Sequence, residues 1–381
     1  MLPAPTDEAL AHSARVTAHL RALIDEAGGW LPFSRFMDAA LYAPGLGYYA
    51  AGAMKFGVAG DFVTAPELTP LFSRTLARAI APVLAQTGGD VLELGAGSGR
   101  LAVDLFDELA RIGAAPARYR ILEVSADLRA RQQALIARES PRLAASVGWL
   151  DALPTDFRGV MLGNEVLDAL PAELVHWTSN GPLQRGVIVD GDRFAWADRP
   201  IEDAELAGRA AELDLPAGYV SEIHPAADAL VASLAERLAH GLVLLVDYGF
   251  GAREYYHPER RMGTLRAHYR HHALDDPFHL PGLCDLTAHV NFSSVTHAAI
   301  DAGLELAGYT TQANFLLAAG LADLLLETSP ADAAAYLPQA NAVQRLVSPA
   351  EMGELFKVIG FARGAVGEVA GFAQGDRRHT L

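Results

Sequence analysis

The chain alternates between stretches with helical spacing of apolar residues and short, continuous apolar runs. Residues 7–27 place Leu10, Ala14, Thr17, Leu20 and Ile24 on one helical face and close on Gly28-Gly29. Residues 31–37 predict a short helix, 42–49 a rigid turn with aromatics, and 56–67 a polar glycine loop that enters a helix at Thr69-Pro70. Apolar runs then recur at 91–94, 119–122, 147–150 and 160–163, separated by helical patterns, with a further run at 242–246. Such a rhythm reads as buried parallel strands in an α/β fold. Between the fourth and fifth runs, Asn180-Gly181 and Asp190-Gly191 separate the alternating pairs Val175/Trp177, Val187/Val189 and Phe194/Trp196. They predict a three-stranded antiparallel insertion over residues 172–198, usable as a substrate wall, a dimer surface or a plain decoration. Residues 249–290 lack clear periodicity, and a connection this long inside an α/β unit reads as a lid or binding element. A helix at 292–302, a strand at 304–311, helices at 314–328 and 331–346, and a final pair at 352–357 and 358–363 would finish the sheet edge. The expected division is an N-terminal helical cap, 1–88, and a core, 89–381.

The glycine turn after the first run changes the picture from fold to ligand. Glu93-Leu94-Gly95-Ala96-Gly97-Ser98-Gly99-Arg100 leads into a helix whose first turn Ser98 can cap. A dinucleotide fingerprint needs G-x-G-x-x-G, and here Arg100 stands where its third glycine belongs. The G-x-G-x-G spacing suits a donor without phosphates, and S-adenosylmethionine is the candidate. Its carboxylate would meet the helix N-terminus, and its ribose needs an acid at the tip of the next strand, where Glu123 stands before Val124. Asp151, ending the third run, is placed to accept from an adenine amino group or to sit in a surface turn.

Charge and composition narrow the partners. With 30 basic and 46 acidic residues, the formal net charge is -16, which opposes unspecific binding to nucleic acid and to anionic membrane. No run approaches the ~18 apolar residues of a membrane span. The lone Cys284 excludes an internal disulfide, and with no apolar leader in view a cytoplasmic protein is expected. DNA amino-methyltransferases would need D/N-P-P-Y/F where this chain has Asn164-Glu165-Val166-Leu167. Many histidines follow residue 249, yet no metal is expected, since neither H-E-x-x-H nor a Cys/His grouping occurs.

Six motifs together resemble the MidA-like methyltransferases: Gly47-Tyr48-Tyr49, residues 60–67 (GDFVTAPE), residues 92–99 (LELGAGSG), residues 163–171 (GNEVLDALP), Asp247-Tyr248-Gly249 and residues 285–293 (DLTAHVNFS). The resemblance runs from about residue 30 to the end. It implies a class I, Rossmann-like, seven-strand methyltransferase fold with S-adenosylmethionine as donor. For the mitochondrial members it implies symmetric dimethylation of an arginine in a respiratory complex I subunit. It also brings the 60–67 loop over the donor, adding Gly60, Asp61, Phe62, Thr64 and Glu67 to the donor set of Glu93, Gly95, Ala96, Gly97, Gly99, Glu123, Val124, Asp151 and Asn164.

Open α/β sheets place ligands at the carboxyl ends of their strands, so the reacting site is expected at Asn164-Glu165-Val166-Leu167-Asp168. Glu165 and Asp168 are spaced so that a helical turn would aim both carboxylates one way. Such a pair can hold a guanidinium by paired charge-assisted bonds. Asp247 and Tyr248 are candidates for lining the same pocket. His289 could bond to the acceptor or to a carboxylate, or be an ordinary buried histidine. The apolar C-terminal helices would suit a two-fold dimer. Two other readings stay open: an assembly protein that keeps the donor pocket without transfer, and a small-molecule N- or O-methyltransferase.

Overall fold

Alternation along the central strands divides their side chains between two cores, one on each face of a sheet. In the computed structural model, which describes residues 2–51 and 64–381, that sheet contains β1 (Asp90–Leu94), β2 (Tyr119–Leu122), β3 (Val147–Leu150), β4 (Phe157–Asn164), β5 (Leu238–Phe250), β6 (Glu305–Thr311) and β7 (Phe356–Arg363). Val91, Val160, Leu162, Leu242 and Leu244 pack on one face, and Leu92, Leu94, Met161, Val243 and Leu245 on the other. Cover on both faces is why these strands read as unbroken apolar runs.

The spatial order is β6-β7-β5-β4-β1-β2-β3. β1 pairs in parallel with β2 and β4, β2 with β3 and β4 with β5, whereas β7 is antiparallel to both β5 and β6. The chain leaves β1 toward one edge through β2 and β3, then returns on the other side of β1 as β4. Strand order reverses there, and the carboxyl ends of β1 and β4 part to open a crevice. The last strand, β7, lies inside the sheet rather than at its edge, because all its residues except Arg363 are buried and need neighbours on both sides.

Local chemistry sets the helices that flank the crevice. α1 (Asp7–Glu26) and α2 (Phe33–Tyr42) form the N-terminal part, and α3 (Pro70–Thr87), α4 (Arg100–Arg111) and α5 (Ala126–Glu139) follow. α3 begins as its sequence predicts: the Thr69 hydroxyl accepts from the Leu71 N–H at 3.3 Å, and Pro70 fills the first helical position. α2 starts only at Phe33, since Leu31–Pro32 is extended and pairs with Gly186 and Val187. The predicted insertion is accordingly larger than three strands. Glu173–Thr178, Gly181–Asp190 and Arg193–Pro200 join Leu31–Pro32 and Tyr219–Ile223 in a five-stranded sheet. Over it, Phe33, Phe36, Met37 and Tyr48 form a third core with Leu174, Val187 and Leu286.

The 249–290 connection folds into its own small sheet, Arg266–Tyr269, His272–Leu274 and Asp285–Thr287. Farther on, the helix expected over 314–328 is two helices, Gln312–Ala318 and Leu321–Leu326, because Gly320 turns left-handed at φ +92° between them.

Candidate active site

The crevice between β1 and β4 is a cavity of about 580 Å³, within the range of small-molecule and cofactor sites. Its first wall is the glycine turn. Gly95, Gly97 and Gly99 all take left-handed φ, at +58°, +53° and +89°, a conformation that side chains resist. Gly99 does not line the cavity; it caps α4, while Ser98 accepts from the Arg100 N–H at 3.2 Å and donates to Glu67. Thr64, Glu67, Glu93, Gly95, Ala96, Gly97, Glu123 and Val124 all line the cavity. Gly60, Asp61 and Phe62 lie outside the described residues.

Two buried acids sit behind this turn. Glu93 accepts from the Tyr119 hydroxyl at 2.6 Å, and burial pushes its carboxyl up to about 7. Glu123 accepts from the Ser125 N–H and from Gln132 Nε2, each at 2.9 Å, and burial raises it as well. Gln132 escaped the sequence reading. It is fully buried on α5; its Nε2 also donates to the Gly97 carbonyl at 3.0 Å, and its Oε1 accepts from Trp149 Nε1 at 2.8 Å. One side chain therefore ties the glycine turn, the strand-end acid and β3 together. A glutamine on a helix with little amphipathic contrast carries no sequence signal of that role. Asp151 stands apart from the main cavity, paired with Arg129 at 2.7 Å, in an adjoining hollow that shares Glu123 and Val124.

The second wall is the loop after β4, and its geometry differs from the helical turn expected. Glu165 takes φ +54°, left-handed for a side-chain-bearing residue. The loop is held instead by Asp247, whose Oδ2 accepts from the N–H groups of Val166, Leu167 and Asp168 at 3.1, 2.9 and 3.3 Å, while its Oδ1 accepts from Tyr248 N–H at 2.9 Å. Asp247 is thus buried behind the loop and does not line the cavity. Spacing alone could not reveal this, because the gathering group comes from β5, distant in sequence.

Asn164, Glu165 and Asp168 do line the cavity. Asn164 Nδ2 donates to Glu165 Oε1 at 3.0 Å, and the Ala65 N–H also donates to Glu165. Burial, then the neighbouring Asp168 charge, raises the Glu165 carboxyl to about 8; burial raises Asp168 to about 6 against the opposing Tyr248 bond. Tyr248 donates its hydroxyl to Asp168 Oδ2 at 2.5 Å, and Oδ1 of the same carboxylate is buried without a hydrogen-bond partner among the described residues. His289 is one layer back: its ring lies 5.2 Å from Tyr248 and 5.3 Å from Phe250, and burial together with nearby cations holds it down to about 4, so it is neutral near pH 7.

These residues fit S-adenosylmethionine. The cradle offers N–H groups at the start of α4 for a carboxylate and the acid Glu123 for ribose hydroxyls. The buried Oδ1 of Asn164 has no hydrogen-bond partner among the described residues, leaving an acceptor for a donor such as an ammonium.

Comparison with known proteins agrees. Residues 75–310 match the family described as "Putative S-adenosyl-L-methionine-dependent methyltransferase". A Burkholderia thailandensis protein, described as a "likely methyl transferase" and crystallised with S-adenosyl-homocysteine, shares 53 % identity and a TM-score of 0.97, with 100 % of each chain covered. The mitochondrial protein arginine methyltransferase NDUFAF7 of Danio rerio is 30 % identical over 368 residues, covering 87 % of this chain and 83 % of that one. Its Caenorhabditis elegans homologue is 28 % identical over 342 residues, 81 % of this chain and 78 % of that one. The two NDUFAF7 relatives are named as mitochondrial, which overturns the expectation of a cytoplasmic protein. A single cysteine rules out an internal disulfide and could not separate one reducing compartment from another. The cradle, the strand order and the relatives converge: the chain belongs to the MidA-like family of class I methyltransferases, with S-adenosylmethionine as its cofactor.

Proposed function

We propose that this protein methylates the guanidinium of an arginine in a protein partner, with Glu165 and Asp168 as the clamp. The observation that carries the reading is Asp168: buried, fixed by Tyr248 through one oxygen and, among the described residues, without a hydrogen-bond partner at the other, on the wall of a cavity that also contains the glycine turn. A buried carboxylate in that state calls for a cationic donor. The naming of relatives as protein arginine methyltransferases supports the same acceptor, and the family resemblance extends the expectation to a respiratory complex I subunit.

When bound, S-adenosylmethionine supplies an electrophilic methyl group. Residues 1–88 act as cap and donor cover and 89–381 as the core. The turn residues, Glu123, Asp151 and the Thr64–Glu67 stretch hold and orient the donor. Asp168 Oδ1 accepts from one guanidinium nitrogen, and Glu165, set by Asn164, faces the nitrogen to be methylated. With its carboxyl raised to about 8, Glu165 is matched to take up the proton that this nitrogen releases near neutral pH. Asp247 is a positioning residue, and His289 packs behind Tyr248 to fix the hydroxyl on Asp168. Alignment and exclusion of water supply most of the acceleration expected of such a site.

The test uses purified protein, methyl-tritiated S-adenosylmethionine and a pool of arginine-containing peptides, followed by acid hydrolysis and amino-acid chromatography. Label in methylarginine, reduced at least 100-fold by Glu165→Gln with donor affinity within threefold, is the expected result. Label confined to lysine or to small metabolites would overturn the acceptor assignment.

A further inference from the structure

Beside the loop after β4, where the Tyr42 hydroxyl donates to the Ala169 carbonyl at 3.0 Å, the cavity wall comes from elements outside the seven-strand sheet. Tyr42 and Tyr49, from α2 and the turn after it, stack with ring centroids 5.4 Å apart and planes 21° apart. The Tyr49 hydroxyl donates to Asp285 Oδ2 at 2.9 Å, and Asp285 is 5 % exposed at the start of the small-sheet strand Asp285–Thr287. Both tyrosines and Asp285 line the same cavity as Asp168, and Asp38 stands at its rim. The two buried aspartates are built alike, each fixed through Oδ2 by a tyrosine hydroxyl, Tyr248 for Asp168 and Tyr49 for Asp285. The Tyr42 and Tyr49 hydroxyls both feel the charges of Asp285 and Asp168, which, added to burial, push their ionisation well up. The phenols therefore stay neutral.

We propose that Asp285 and the stacked Tyr42–Tyr49 pair form a second acceptor subsite, a cage that selects the planar guanidinium of arginine over the compact ammonium of lysine. This rests on the arginine reading above and deepens it. An acidic pair alone would hold either cation. A flat aromatic stack beside two carboxylates favours a delocalised, weakly hydrated plane that can stack and bond in its own plane at once. Asp168 Oδ1, buried with no hydrogen-bond partner among the described residues, marks where such a group can bond. Asp38 at the mouth and the net charge of -16 favour approach of a basic peptide segment.

The experiment titrates acetyl-Gly-Arg-Gly-amide and acetyl-Gly-Lys-Gly-amide onto protein saturated with S-adenosylhomocysteine. Wild-type protein is expected to bind the arginine peptide at least tenfold more tightly than the lysine peptide. Asp285→Asn should weaken the arginine peptide at least tenfold, and Tyr42→Leu should erase most of the preference, each with S-adenosylhomocysteine affinity within twofold. Tyr49→Phe, which keeps the ring and removes the bond to Asp285, serves if Asp285→Asn does not fold, and should weaken the arginine peptide at least threefold. Arginine binding that falls in Glu165→Gln yet survives Asp285→Asn, Tyr49→Phe and Tyr42→Leu would overturn the cage and leave the arginine reading standing. No binding of either peptide to wild-type protein would overturn the arginine reading, and the cage with it.

Discussion

At the scale of single residues, burial keeps the acids of the cavity partly protonated near neutral pH. Glu165 and Asp168 titrate at about 8 and about 6, both raised first by burial. On the proposed clamp, affinity for an arginine peptide therefore rises as pH goes from about 6 to 8, since only the ionised carboxylates attract the guanidinium. Glu165→Gln should remove the upper part of that rise, as read by titrations at a series of pH values; a flat profile in wild-type protein would contradict the clamp. Stability runs the other way. A folded-state value above the unfolded one means that these two groups hold more protons in the folded chain over this window, so their contribution to the stability of ligand-free protein falls as pH rises from about 4.5 toward 8. Gln132 makes the second residue-scale prediction. Gln132→Leu leaves Glu123, the Gly97 carbonyl and the Trp149 N–H short of partners and should weaken S-adenosylmethionine by about tenfold, roughly 1.4 kcal/mol, measured by calorimetry. Unchanged affinity would reduce Gln132 to a packing residue.

At the scale of elements, the sequence was legible where a signal is local and opaque where two distant segments meet. The strands from 91 to 163, the capped start of α3 and the glycine turn are visible because unbroken apolar runs, a Thr-Pro entry and closely spaced glycines leave their mark within a few residues. The loop after β4 is the counterexample: a three-residue spacing pointed to a helical turn, and a carboxylate from β5 decides the conformation instead. Asp285 and Tyr49 show the same limit, since each lies within a family motif yet only the fold brings them into contact. Asp247→Asn tests the loop directly. Asparagine keeps one acceptor and turns a donor toward backbone N–H groups, so the variant should lose about 1–3 kcal/mol of stability and at least tenfold in transfer rate. Thermal melting and initial rates give the two readings, and a full rate in a folded variant would remove Asp247 from its positioning role.

At the scale of the whole molecule, the switch in strand order puts the two halves of one cavity under the control of very different lengths of chain. Gln132 reaches Gly97 across 35 positions and Glu123 across 9, whereas Tyr49 reaches Asp285 across 236. Closing the longer separation costs more chain entropy and comes later in a search for native contacts. The protein should therefore acquire its two affinities in sequence during refolding: S-adenosylhomocysteine binding first, arginine-peptide binding after it. Stopped-flow refolding with each ligand in turn would separate the phases, and a single shared phase would refute the order. A chain that matures in this way passes through a stage that can load its donor before it can admit a protein to be modified, so newly made molecules would be charged but silent.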